Sequence, residues 1–403
     1  MMLDAVLRAE SGRITAALAA RFRDLDLAEE SLAEACARAV PAWADAPPAN
    51  PAGWLYRVAT RVALDSLRRS AVRQAAALPE PDPEPTVEEL MTAAPLIPDE
   101  RLRLIFVCCH PAIHPEARAA LTLRLVCGLS AQEIARAFLI AEPALLQRLT
   151  RAKRKITDAG VPFEVPGPDH WSERLDAVLS TLEVAYAHAH ADGAGTGRHA
   201  GYAEEMLGIT AALAAMLPTE PEVQALAATV RFAEARRPAR VDADGMMVPL
   251  AQQDPSLWDT MLIAQGRRYL AGVLTRSLGA RGLQALIHAE WCARSSLADP
   301  APWPAILTLY DALLACRDDP ITRLNRAVAL AETRGPAIAL EGVDALSHAG
   351  LADYLPYHAL RADLLARLGF ADAARRAYDA ALALAPADAE RRWLLRARSR
   401  YAD

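Results

Sequence analysis

Apolar residues recur every three to four positions along most of this chain, the spacing that sends one side of an α-helix into a core and leaves the other in water. The first such stretch runs from Met1 to Ala20, with Leu3, Val6, Leu7, Ile14, Ala17 and Leu18 as its apolar set. Asp24 to Glu34, DLDLAEESLAE, sets Leu25, Leu27 and Leu32 among five acids and no basic residue. Trp54 to Arg69, WLYRVATRVALDSLRR, predicts a helix that buries Leu55, Val58, Ala59, Val62 and Leu67 and turns its arginines outward. Helical spacing resumes from Asp99 to Ala120. From Trp171 the pattern predicts helices near 171–189, 201–217, 220–236, 256–277, 279–294, 302–315, 321–332, 336–347, 355–368, 371–385 and 388–401. The expected fold class is all-α.

Gly128 to Ile156 has the sharpest pattern. Ser130 suits an N-cap and Glu133 its reciprocal N3 position, so a short helix is expected to start there. Ile134, Ala135 and Phe138 form its apolar face, Leu139 to Glu142 a turn, and Pro143 fits the first turn of the next helix. Leu145, Leu149, Ala152 and Ile156 then lie on one side. Five basic residues and no acid fall between Leu145 and Thr157, and the only lysines of the chain, Lys153 and Lys155, are among them. This reads as a helix-turn-helix whose second helix enters a major groove. An ordinary helix pair with a solvated basic face has the same pattern.

Proline-rich breaks divide the rest. Residues 41–53 form a stiff connector, and the acidic, proline-rich run 75–98 cannot bury enough apolar surface to fold alone. The expected organisation is a domain at 1–73, a linker at 74–98, a second domain at 99–160, a short linker at 161–170 and a helical region at 171–403. Within Arg237 to Asp254, Asp244-Gly245 marks a turn and a small hairpin. Ala362, Leu365, Ala374, Tyr378, Ala381 and Pro386 fall close to the positions of a tetratricopeptide unit, with a fainter copy over 320–347. A TPR-like solenoid and a plain helical bundle are both compatible with that spacing.

Charge changes the picture. The net charge is −6 over 403 residues, and residues 1–160 carry as many basic as acidic side chains, so the whole excess of acid lies in 161–403. That excludes a protein which binds nucleic acid over its entire surface. The basic helix led by Trp54 and Tyr56 combines cations for phosphate with rings for stacking on unpaired bases. Six cysteines without a framework point to a reducing, cytoplasmic setting, and no run is apolar enough for a membrane span. The CCHPAIH run, Cys108 to His114, lacks the spacing of a structural zinc site. His188, His190, Asp192 and His199 lie close in sequence but read as a helix end and a loop. Neither a metal nor a cofactor is expected, and no catalytic constellation is present.

Residues 1–160 resemble the bacterial sigma-70 transcription initiation factors of the compact extracytoplasmic-function class. The resemblance implies that the acidic helix, through Asp24, Asp26, Glu29, Glu30 and Glu34, docks on core RNA polymerase. It implies that Trp54, Tyr56, Arg57, Arg61, Arg68 and Arg69 meet single-stranded −10 promoter DNA, with Arg61 standing where the family commonly has Asn. Ala144, Gln147, Arg148, Arg151, Lys153 and Lys155 would meet the duplex −35 element, while Leu146 occupies a place where relatives often carry a basic residue. RLIFVCCHPAIHPEARAALTLRL, ARRPARVDADG and the TPR-like unit resemble a subgroup with a large C-terminal extension. Such an extension is expected to modulate the factor through intramolecular contact, in place of a separate membrane-bound inhibitor. The alternative is a helix-turn-helix regulator of duplex DNA with a TPR-like sensing or protein-interaction domain.

Overall fold

Helices form where the apolar spacing predicts them, and side-chain caps set their ends. The computed structural model describes residues 2–44, 48–73, 100–138, 140–164, 171–190, 200–273 and 278–400. The linker 74–98 lies outside them, as does 191–199 with Asp192 and His199. The described residues are helical, with one isolated antiparallel bridge between Val241 and Met247. The chain divides into two compact units, Met1–Ala189 and His190–Asp403. The division therefore falls after the helix that starts at Trp171, rather than at the proline-rich 161–170.

The front unit contains α1 (Met2–Phe22), α2 (Leu25–Ala42), α3 (Pro51–Arg73), α4 (Arg101–Cys108), α5 (Pro115–Leu125), α6 (Ala131–Ala137), α7 (Glu142–Asp158) and α8 (Trp171–His190). Asp24 caps α2, its Oδ1 accepting the N–H groups of Asp26 and Leu27 at 3.0 Å each. Asn50 caps α3 in the same way through Gly53 at 2.8 Å, so α3 starts before Trp54, at Pro51. The helical stretch expected over 99–120 is two helices, because Pro111 and Pro115 interrupt it.

The two front domains, expected to be separated by a tether, pack against one another in this unit. Helix α1 buries Ile14, Ala17 and Leu18 completely or nearly so, and lies against α2 and α3 on one side and α4 and α5 on the other. At Gly12 a β-carbon would sit 1.8 Å from the carbonyl oxygen of Val126, so only glycine permits this approach. Helix α8 joins the same unit through Thr181, which hydrogen-bonds the buried Cys109.

The second unit is a succession of helices, each packed on the next: α9 (Ala200–Met216), α10 (Pro221–Ala235), α11 (Thr260–Val273), α12 (Ala280–Trp291), α13 (Trp303–Cys316), α14 (Pro320–Arg334), α15 (Pro336–Asp344), α16 (Leu355–Arg367), α17 (Ala371–Ala383) and α18 (Asp388–Ser399). The segment expected at 256–277 starts later, at Thr260, because Asp259 Oδ1 caps Met261 and Leu262 and residues 255–257 form a separate 3₁₀ turn. Phe232, Trp258 and Val273 anchor a core of α10 to α12, and Trp291, Leu324 and Leu364 one of α12 to α16. Ala362, Leu365, Ala374, Tyr378 and Ala381 share a third core with Leu394, so the spacing of the expected repeat unit marks its buried face. The turn at Gly245 (φ +73°) does form a small hairpin, and the last helix returns to it. Met247 N–H donates to Ala389 O at 3.0 Å, and Arg392 Nη1 donates to Asp244 O at 2.5 Å.

Replacing Gly12 by Ala tests the seam at α1. In an isolated helix this change stabilises by roughly 1 kcal/mol. Here it is expected to destabilise the front unit by about 1–3 kcal/mol, seen as a lower unfolding midpoint for the full-length chain. A raised midpoint would show that α1 does not meet Val126.

Candidate nucleic-acid interface

Helix α7 is sorted by its turn of about 100° per residue. Leu145, Leu149, Ala152 and Ile156 are buried, the four positions that the spacing predicts. Ala144, Gln147, Arg148, Arg151 and Lys155 share another face, and with Ala112, Ile113, His114 and Ala117 they line an open cavity of about 590 Å³. Arg148 is steadied by Glu116 of α5 at 3.2 Å, while Arg151 and Lys155 are exposed. Leu146 is 47% exposed and offers an apolar contact. This face combines cations for phosphate with an amide, Gln147, able to address a base edge.

Lys153 is not part of that face. It lies two residues from both Arg151 and Lys155, and so roughly 200° round the helix. Its ammonium sits between the carboxylates of Asp26 and Glu29 of α2, at 2.9 Å from Glu29 Oε2. Glu29 also accepts from Arg124 Nε at 2.8 Å, and Arg124 Nη1 donates to Leu129 O at 3.1 Å. Burial pulls the Lys153 pKa down, but the hydrogen bonds and charges of the two acids outweigh it and raise the value above that of a free lysine. Two acids read as facing one partner and a lysine read as facing another thus neutralise each other. Arg124 was not singled out from sequence; its partner is 95 residues away, and no local pattern marks it.

The remaining acids of α2 divide in role. Asp24 is spent on the cap, Glu30 is exposed, and Glu34 is exposed beside Arg38 at 2.9 Å. On α3, Leu55, Val58 and Ala59 are buried as expected, whereas Leu67 is 39% exposed near the helix end. Trp54 is half-buried and meets Trp43 edge to face, with centroids 5.5 Å apart. Tyr56, Arg57 and Arg61 are half-buried on the following turns. Arg68 pairs with Asp65 at 3.5 Å, and Arg69 Nε donates to Asp65 O at 3.3 Å. Arg38, Val62, Asp65, Arg68 and Arg69 line a cavity of about 400 Å³ between α2 and α3.

The CCHPAIH run serves the core and a turn. Burial pushes the Cys109 thiol up to about 11, hydrogen bonds to Thr181 and Thr122 restraining the rise, and burial likewise holds Cys108 well above the usual thiol range. His110 Nδ1 accepts the N–H of Ala112 at 3.2 Å, and His114 stands at the start of α5. Among the described residues no helix is long and apolar enough to cross a membrane.

Comparison with known proteins divides the chain in three. Residues 7–73 match the model for sigma-70 region 2, residues 103–156 the model for sigma-70 region 4, and residues 174–274 a family of unknown function, DUF6596. The uncharacterized protein R00370 of Rhizobium meliloti (strain 1021) is 38% identical over 392 residues, which cover 95% of this chain and 92% of that protein. No solved structure matches the chain.

The ion network linking α2 to α7 has a measurable coupling. A double-mutant cycle on Glu29→Ala and Lys153→Ala, read from hydrogen-exchange protection of α1 amides, is expected to give about 1 kcal/mol at low salt. In roughly 1 M salt that coupling should fall towards zero. Strict additivity at low salt would mean that the two side chains do not meet.

Proposed function

We propose that this chain, which carries matches to sigma-70 regions 2 and 4, is a sigma-70 transcription initiation factor of the extracytoplasmic-function class that directs core RNA polymerase to specific promoters. Sigma-70 proteins are non-catalytic; the polymerase supplies the chemistry, and the factor supplies position and strand separation. In this reading residues 1–73 bind the polymerase and melted −10 DNA, and residues 99–160 hold a helix-turn-helix for the −35 element. Residues 171–403 are a TPR-like helical extension that modulates activity by intramolecular contact. The observation that carries the reading is the sorting of α7, four apolar residues buried and Ala144, Gln147, Arg148, Arg151 and Lys155 turned to an open cavity.

Each residue has a role in that scheme. Gln147 addresses an adenine edge, and Arg148, Arg151 and Lys155 hold phosphates. Arg57, Arg61, Arg68 and Arg69 track the single strand, with Trp54 and Tyr56 as stacking surfaces. Glu30 and Glu34 are exposed acids of α2 turned to a polymerase surface, while Asp26 and Glu29 reach it by giving up Lys153 and Arg124. The spacing of the promoter elements supports that exchange. Elements at −10 and −35 lie about 25 base pairs, or roughly 85 Å, apart on B-DNA. In this reading the compact unit opens on the promoter so that α3 and α7 meet the two elements. The residues from 74 to 99 reach at most roughly 90 Å when fully extended, enough for that span. Partly exposed ion pairs contribute about 1 kcal/mol each, so a polymerase interface is able to displace them.

Purified full-length protein mixed with sigma-free bacterial core polymerase is expected to co-elute as a one-to-one complex that binds promoter DNA. Arg148→Ala with Arg151→Ala should weaken promoter binding and lower the salt slope by about two. Tight binding to palindromic duplex DNA as a dimer, with no polymerase complex, would instead make the chain a conventional duplex-DNA regulator.

A further inference from the structure

Helix α10 is buried along almost its whole length, and Arg231 lies in the middle of it, 3% exposed. A guanidinium so placed keeps its charge, because even with burial and the neighbouring Arg268 lowering its pKa it starts far above neutrality. Everything that holds it is neutral. Nε donates to Gln265 Oε1 at 3.2 Å, Nη1 to Thr210 Oγ1 at 3.2 Å and Ala227 O at 3.0 Å, and Nη2 to Leu207 O at 3.2 Å. The ring of Tyr269 covers one face, 4.4 Å from the guanidinium carbon. Among the described residues no carboxylate pairs with Arg231, whereas the equally buried Arg281 has Glu222 at 3.3 Å. Buried charges are ordinarily paired, and among the described residues this one has no counter-ion.

A cavity of about 570 Å³ opens on it, lined by Ala211, Gln224, Arg231, Gln265, Arg268 and Tyr269. A second cation, the exposed Arg268, therefore converges on the same space, an arrangement that is repulsive when empty and attractive to an anion. The amides define what else the occupant carries. Gln265 spends its oxygen on Arg231 and offers N–H donors, while Gln224 spends both N–H groups on Ala214 O at 3.0 Å and Leu217 O at 3.1 Å and offers an acceptor. The wall is fixed by close packing: a β-carbon on Gly266 would lie 2.7 Å from the Phe232 ring, so α11 touches α10 where Gln265 and Tyr269 flank Arg231. The volume is that of a metabolite site rather than of a lone ion.

We propose that this cavity binds a small hydroxylated organic anion, its carboxylate or phosphate head between Arg231 and Arg268 and a hydroxyl on Gln224. The second unit would then be a small-molecule sensor, an input that its family model does not describe. The test needs no polymerase, so its failure leaves the transcription reading standing. Full-length protein is titrated calorimetrically with glycerol 3-phosphate, with glycerate, and with glycerol as the neutral control, at matched ionic strength. Saturable one-to-one binding of at least one anion and none of glycerol is expected, and the stronger of the two identifies the head group. Arg268→Gln, at an exposed position, should weaken binding about tenfold, and Arg231→Gln should abolish it in protein whose helicity is intact. Two results would overturn the site: no saturable binding of either anion, or an unchanged Kd in Arg268→Gln.

Discussion

The front unit depends on how closely α1 approaches the chain around Val126. Gly12 lets a backbone carbonyl come where any side chain would stand. Only at that distance can α2 and α7 exchange charges across the seam. The ion network of Asp26, Glu29, Arg124 and Lys153 is the consequence rather than the cause of the packing, because partly exposed pairs in water contribute little. Apolar burial along α1 holds the two domains together, and the network forms where the faces so brought together carry opposite charges. An interface of that kind rests on apolar burial, with its charge pairs adding little.

That balance gives the acidic helix two uses. Asp24 starts it, Asp26 and Glu29 close the unit, and Glu30 and Glu34 remain outward. Helix α7 is divided in the same manner, with one side in the core, one towards an open cavity, and Lys153 towards α2. The second unit solves a different problem. Its helices stack in chain order around three successive apolar cores, and its last helix closes back on the Asp244–Gly245 turn. A rigid wall of this sort can keep a buried, uncompensated guanidinium facing a cavity.

Much of this was legible in the chain. The 3.6-residue period located nearly every helix of the second unit to within a few residues, and it named all four buried residues of α7. Where it erred the reasons are local. Leu67 continues an apolar stripe near the end of α3 that the described residues leave uncovered, and Asp259 starts α11 later than the apolar pattern does because its carboxylate captures two N–H groups. Treating Asp24 as part of an outward acidic face overlooked that an acid immediately before a helix is first a cap. Grouping Lys153 with Lys155 counted charge without asking on which side of the helix each falls.

By itself the sequence determined the all-helical class, the helices and their buried stripes, each of which follows from spacing within a few turns of one chain segment. The resemblance of the two front segments to sigma-70 regions rests on the motifs they carry. The tertiary structure decided which charges are outward and which are spent on each other. It paired Glu29 with Arg124 and Lys153 across 95 and 124 residues, and among the described residues it left Arg231 without a carboxylate beside a cavity. Periodicity fixes the direction of a side chain relative to its own helix axis; what it meets there depends on the approach of distant segments, which no local spacing encodes.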